Sequence, residues 1–160
     1  IGQIMKEYGI KLEYHNHDFE FVRLPDGTFG FDDIYRRIPE DLLKVEPDLC
    51  WIKVAGESPV DYLKKYGERS EVVHLKDYIK EGNPKNMYKL IGIESGEEEG
   101  DSGIVEFRPV GFGMQIWEPI LEAVAEAGAK WVVVEQDEHY DLPVLEAARR
   151  SREYLKILGW

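Results

Sequence analysis

Four short apolar runs, each followed by a stretch of helical character, constrain this 160-residue chain more than any other feature. They cover residues 10–16, 42–48, 71–77 and 130–137. The last two, EVVHLKD and KWVVVEQD, are rich in valine. Such runs read as strands buried on both faces, the signature of a parallel sheet. Residues 2–8 read as helix stopped by Gly9, PDGT at 25–28 as a turn, and 31–38 as a short helix. Residues 58–69 form a helix opened by Ser58 and Pro59. Trp117, Ile120, Leu121 and Val124 repeat at helical spacing up to Gly128, and a last helix spans about 143–158. The spacing predicts one α/β domain over residues 1–160, with a long polar segment, 78–113, as a variable loop within it. No dinucleotide-type glycine turn follows a strand, and GFG at 111–113 is too short to cradle phosphate.

The formal net charge is −12, which excludes nucleic-acid phosphates and anionic membrane surfaces as partners. Part of that acidity lies in ESGEEEGD, residues 94–101, expected as a solvated loop. No apolar run approaches membrane length. The one cysteine, Cys50, fits a reducing compartment and a cytoplasmic location. The chain does not open on a signal peptide or a methionine, so residues are expected before Ile1.

Parallel strands joined by right-handed crossovers bring their carboxyl ends to one side. The first strand ends in His15 and His17, two apart and therefore facing one spot. The second ends in Asp48, the third carries His74, and Glu135 follows three valines in the fourth. His15, Asp48, His74 and Glu135 at one rim suit a divalent cation: Mn²⁺, Zn²⁺, Co²⁺, Mg²⁺ or Fe²⁺. Two carboxylates buried together otherwise need a proton or a cation.

Each residue also has a plainer reading. His74 suits a structural histidine, and Asp48 a cap on the next segment. His17 suits a substrate contact or a group behind the ligands. Trp51 suits an aromatic wall for a sugar ring or plain core. Lys76 suits neutralising an enolate, touching substrate, or pairing with an acid. Arg108 suits a clamp on an anion or hydroxyl. Glu13 sits deeper than His15, as a core-layer group paired with Lys11 or Lys76, and His139 reads as exposed.

YHNHDFEF, DLCW followed by SPVDYLKKYGERSEVVHLKD, FRPVGFG and WVVVEQD resemble, in order, the xylose isomerase-like TIM barrels, the sugar phosphate isomerase/epimerase superfamily. The resemblance implies the carboxyl-terminal half of an eight-stranded (β/α) barrel with a divalent metal at its carboxyl face. Asp48, His74 and Glu135 match three of its ligands. His15 stands where the family carries glutamate, with Glu13 or Glu20 as alternatives, and Trp51 replaces a family histidine. In the epimerases two metal-bound glutamates move a proton beside a carbonyl, and the metal stabilises the enediolate. Here Glu135, His17 and Lys76 are the expected catalytic residues.

A metal-dependent sugar or keto-sugar isomerase/epimerase is the leading expectation. A dehydratase of the inosose type is the alternative; a non-catalytic sugar-binding half barrel or an inactive fragment are rivals. Half a barrel leaves two open strand edges, so pairing with a second copy or with an amino-terminal half is expected.

Overall fold

Strand pairing starts where the first apolar run meets Glu13. The computed structural model describes residues 1–84 and 102–160, so the acidic run at 94–101 lies outside the described residues. β1, Glu13–His15, pairs in parallel with β2, Lys44–Glu46, with Glu13 opposite Lys44 and His15 opposite Glu46. Beyond β2, Asp48 forms a parallel bridge to His74 of β3, Val72–Leu75. β3 neighbours β6, Trp131–Val134. Trp131 N donates to Glu71 O at 3.0 Å and Glu135 N to Leu75 O at 3.2 Å; both strands advance together, as parallel pairing requires. The four expected strands are present, but each has only three or four residues. Their polar ends leave the ladder for side-chain bonds: Asp48 N, for example, donates to Asn16 Oδ1 at 3.0 Å.

The helices are α1 (Gly2–Glu7), α2 (Gly30–Arg37), α3 (Leu49–Val54), α4 (Pro59–Tyr66), α5 (Trp117–Glu126) and α6 (Val144–Ile157). α3 is an addition to the expected set, since six residues are too few to show a period. In α4, Ser58 Oγ accepts from Asp61 N at 3.3 Å, with Pro59 in the first turn, as the sequence predicts. The long polar segment carries small elements of its own at its two ends, an antiparallel pair of β4 (Asp77–Asn83) and β5 (Ser102–Arg108), with Asp77 opposite Arg108. Its apolar residues are sparse and two glycines face each other, Gly82 and Gly103, so its composition hides the strands.

The chain divides into two compact units. The first comprises Ile1–His74 and Glu118–Val133. Phe31, Val45, Leu49, Ile52, Leu63 and Val73 are wholly buried in it, each contributing about 1.5–3 kcal/mol where the side chain is large. Arg69 binds the loose end of α2, donating to the carbonyls of Tyr35 (2.8 Å), Ile38 (2.7 Å) and Leu43 (2.9 Å). A cation there satisfies carbonyls that the helix leaves unpaired. Lys11 and Lys130 both reach Glu71, at 2.5 and 2.9 Å. Their hydrogen bonds pull the Glu71 carboxyl down to about 2. Its folded value lies below the unfolded one, so its contribution is present above pH 4.5 and lost as pH falls toward 2. An NMR pH titration should place Glu71 near 2 in low salt, and Lys130→Ala should move it upward; an ordinary carboxylate titration would rule out the clamp.

The second unit comprises Leu75–Trp117 and Val134–Trp160. Leu75, Phe107, Val110 and Trp117 are buried in it, with Ala147 and Leu155 from α6. Its polar centre is Asp77, wholly buried. The Asp77 carboxylate accepts from Tyr78 N (2.9 Å), Gly111 N (3.0 Å), Gly113 N (3.0 Å), Gln115 N (3.2 Å) and Trp117 Nε1 (2.9 Å). Gly113 is required for this approach, because a Cβ there would lie 2.2 Å from Asp77 Oδ1. Among the described residues no helix is long and apolar enough to cross a membrane.

Candidate functional site

Three of the expected ligands come together in the first unit. His15 ends β1, His74 lies in β3, and Asp48 sits between them, just past β2. Suitable donor atoms of all three lie within 4.8 Å of one another. The His15 and His74 rings are 4.5 Å apart, edge to face. His15 Nε2 stands 3.2 Å from Asp48 Oδ2.

Asp48 caps the next segment, as one of its sequence readings has it, and keeps its second oxygen toward His15. Oδ1 accepts from Cys50 N at 2.8 Å and Trp51 N at 3.0 Å, capping α3. Oδ2 faces His15. The cap therefore fixes the rotamer of a wholly buried carboxylate whose second oxygen remains on the histidine side. Two imidazoles and one carboxylate make a nitrogen–oxygen donor set of the kind first-row divalent ions take, so the residues present fit such an ion.

His17 lies where the two-residue spacing puts it, 5.3 Å from the His15 ring. It stacks on Phe19 at 5.3 Å and tilts against Trp51 at 5.2 Å. Trp51 itself is wholly buried at the first turn of α3. Its inward position on a capped helix places it in the core and behind His17, the plainer of its two sequence readings.

The alternatives for the first ligand fall elsewhere. Glu20 folds back, but takes the Tyr14 hydroxyl at 2.5 Å and His17 N at 2.9 Å, fixing the loop after β1. Burial, then Glu20, pushes the Tyr14 hydroxyl up to about 12. Glu13 is not paired with Lys11, whose ammonium goes to Glu71, nor with Lys76. Its carboxyl is raised by burial first, then by Glu46 and Glu71, and its buried Oε2 has no hydrogen-bond partner among the described residues.

The second unit holds the other named residues. Glu135 follows β6, and its Oε2 is 2.8 Å from Lys76 Nζ. Lys76 is 2% exposed, also meets Asp137 Oδ2 at 3.0 Å, and lies 5.1 Å from the Phe107 ring centre. Pairing with acids is one of the readings its sequence position offered. Arg108 bonds Glu106, donates to Phe107 O at 2.9 Å and covers the Tyr140 ring at 5.4 Å. With Gln136, His139 and Tyr140 it lines a cavity of about 140 Å³. His139 is exposed, as expected, with Nδ1 2.5 Å from Leu142 O.

Sequence reasoning missed Glu46, whose Oε1 is 2.8 Å from His74 Nε2, and Asn16, which holds the Asp48 backbone. The signal for Glu46 was its two-residue spacing from Asp48, which puts both on one face.

Comparison with known proteins gives a consistent picture. The chain is 30% identical over 158 residues to an inosose dehydratase of Clostridium botulinum (strain Alaska E43 / Type E3), and 31% identical over 159 residues to one of Clostridium perfringens (strain ATCC 13124). Each match covers 98% of this chain and 50% of the relative, so the chain spans about half the length of the curated relatives it matches. Among solved structures, a sugar phosphate isomerase/epimerase from Parabacteroides distasonis ATCC 8503 superposes with a TM-score of 0.71 at 24% identity, covering 96% of this chain and 47% of that one. The probable 3-DHS dehydratase AsbF of Bacillus anthracis gives 0.66 at 13%, covering 96% and 52%. Partial-barrel architecture and these likenesses agree with a family profile that matches residues 1–158: the chain belongs to the xylose isomerase-like TIM barrel family.

Proposed function

We propose that this chain carries the metal-binding and proton-transfer residues of a lyase that removes water from a cyclic keto-polyol. What carries this reading is that the His15–Asp48–His74 donor set lies in a chain whose named relatives are inosose dehydratases. The names of the relatives favour the dehydratase alternative over the epimerase expectation. An imidazole at position 15 also favours it: a nitrogen whose lone pair serves a metal cannot be the second base that two-sided proton transfer needs. Elimination does not have to return a proton to the opposite face of the same carbon; its second proton goes to the departing hydroxyl.

His15, Asp48 and His74 would hold the ion. When bound, the ion supplies Lewis acidity toward the substrate carbonyl. The chain's own groups move the protons. Either Glu135 or His17 is assigned to accept the proton from the carbon beside the carbonyl. The C=C bond forms as the neighbouring C–O bond breaks, and the other group protonates the departing hydroxyl, which leaves as water. No oxidant or reductant is needed. Histidine suits this near neutral pH. Lys76 steadies one Glu135 oxygen, and Arg108 is the candidate contact for substrate hydroxyls. A further half barrel, from the same polypeptide or a second copy, would complete the sheet.

Purified protein should retain a divalent metal and convert keto-inositols to a product with enone absorbance. Glu135→Gln should lower turnover by about 10²-fold or more with folding intact. Epimer formation without loss of water would restore the epimerase reading; full activity in the variant would remove Glu135 from the chemistry.

A further inference from the structure

Glu46 closes β2 directly opposite His15, in a strand, Lys-Val-Glu, whose charges read as solvent-facing. Its carboxylate instead turns to His74, with Oε1 2.8 Å from Nε2. The contact is sheltered: the side chains are 25% and 12% exposed. A carboxylate can only accept here, so Nε2 must carry the hydrogen. A neutral imidazole has one donor and one acceptor, which places the lone pair on Nδ1.

We infer that Glu46 is a positioning residue: through the Glu46–His74 bond it sets the tautomer and ring angle of His74, and so decides which nitrogen is offered to a cation. The second half of this inference rests on the metal reading above. The first half does not. Metal-bound imidazoles in general take such a carboxylate on their far nitrogen, and its loss costs about 10–100-fold in affinity. The bridge between Asp48 and His74 fixes the backbone of both ligands, and the Nε2 contact adds control over the ring.

The test uses ¹⁵N-labelled protein, stripped of metal, and then Zn²⁺ and Co²⁺ titrations. Long-range ¹H–¹⁵N imidazole spectra should show His74 as the Nε2–H tautomer in the wild type. Glu46→Ala should mix the tautomers and weaken Zn²⁺ and Co²⁺ binding about 10–100-fold. Glu46→Gln keeps an acceptor oxygen, so it should keep the tautomer and recover part of the affinity; it also serves if the alanine variant fails to fold. An Nδ1–H tautomer or a doubly protonated ring in the wild type overturns the inference. So does a tautomer unchanged in Glu46→Ala. A Glu46-dependent tautomer in a protein that takes neither ion upholds the positioning role and removes the metal reading alone.

Discussion

Asp77→Ala should unfold the chain's second unit far more readily than any surface change, by on the order of 4 kcal/mol or more. The carboxylate is wholly buried and gathers five N–H groups drawn from residues 78 to 117. Removing it strands donors that have no water to turn to, and each buried donor so abandoned costs about 1–3 kcal/mol. Asp77→Asn is a sharper test. The amide keeps the volume, yet it turns an NH₂ toward groups that only donate. Of the two oxygens, Oδ2 meets Gly111 N, Gly113 N and Trp117 Nε1, so either amide orientation sets donor against donor. Urea unfolding followed by Trp117 fluorescence should report the loss for both variants. A change below about 0.5 kcal/mol, the usual size at exposed sites, would mean that water replaces the carboxylate.

Asp48→Asn should separate the two tasks of that side chain. Asparagine caps helices about as well as aspartate, so Oδ1 can keep the amides of Cys50 and Trp51 and stability should move by less than about 1 kcal/mol. The oxygen facing His15 becomes an NH₂ and can no longer ligate a cation. Divalent-ion affinity should fall by more than the roughly 10–100-fold typical of residues behind the ligands. Asp48→Ala should add a cap loss of about 0.5–2 kcal/mol. Calorimetric titration with Zn²⁺, paired with thermal unfolding, reads both effects. Unchanged ion affinity in Asp48→Asn would dismiss the donor set.

Much of this centre was legible because strand order concentrates chemistry at one end. His15, Asp48 and His74 stood out as polar residues closing apolar runs, and the structure brings these three together. The two-residue step from His15 to His17 correctly placed both rings at one spot. Local patterns carry no information about partners across the fold. Glu46 looks like any charged strand residue until His74, 28 positions later, is beside it. Glu13 looked pairable with Lys11, but that ammonium has a better-exposed acid in Glu71. α3 was hidden because six residues show no period, and Trp51 was therefore read without the helix that turns it inward. β4 and β5 were hidden because much of their length is polar, so periodicity had little to register.

The enclosure of Lys76 has a chemical consequence under the proposed ketone chemistry. A free amine near a carbonyl condenses with it to an imine, a dead end for elimination. With Nζ between Glu135 and Asp137 and only 2% exposed, that nitrogen is kept out of range of an incoming ketone. The chain keeps a positive charge inside its second unit without exposing a nucleophile there.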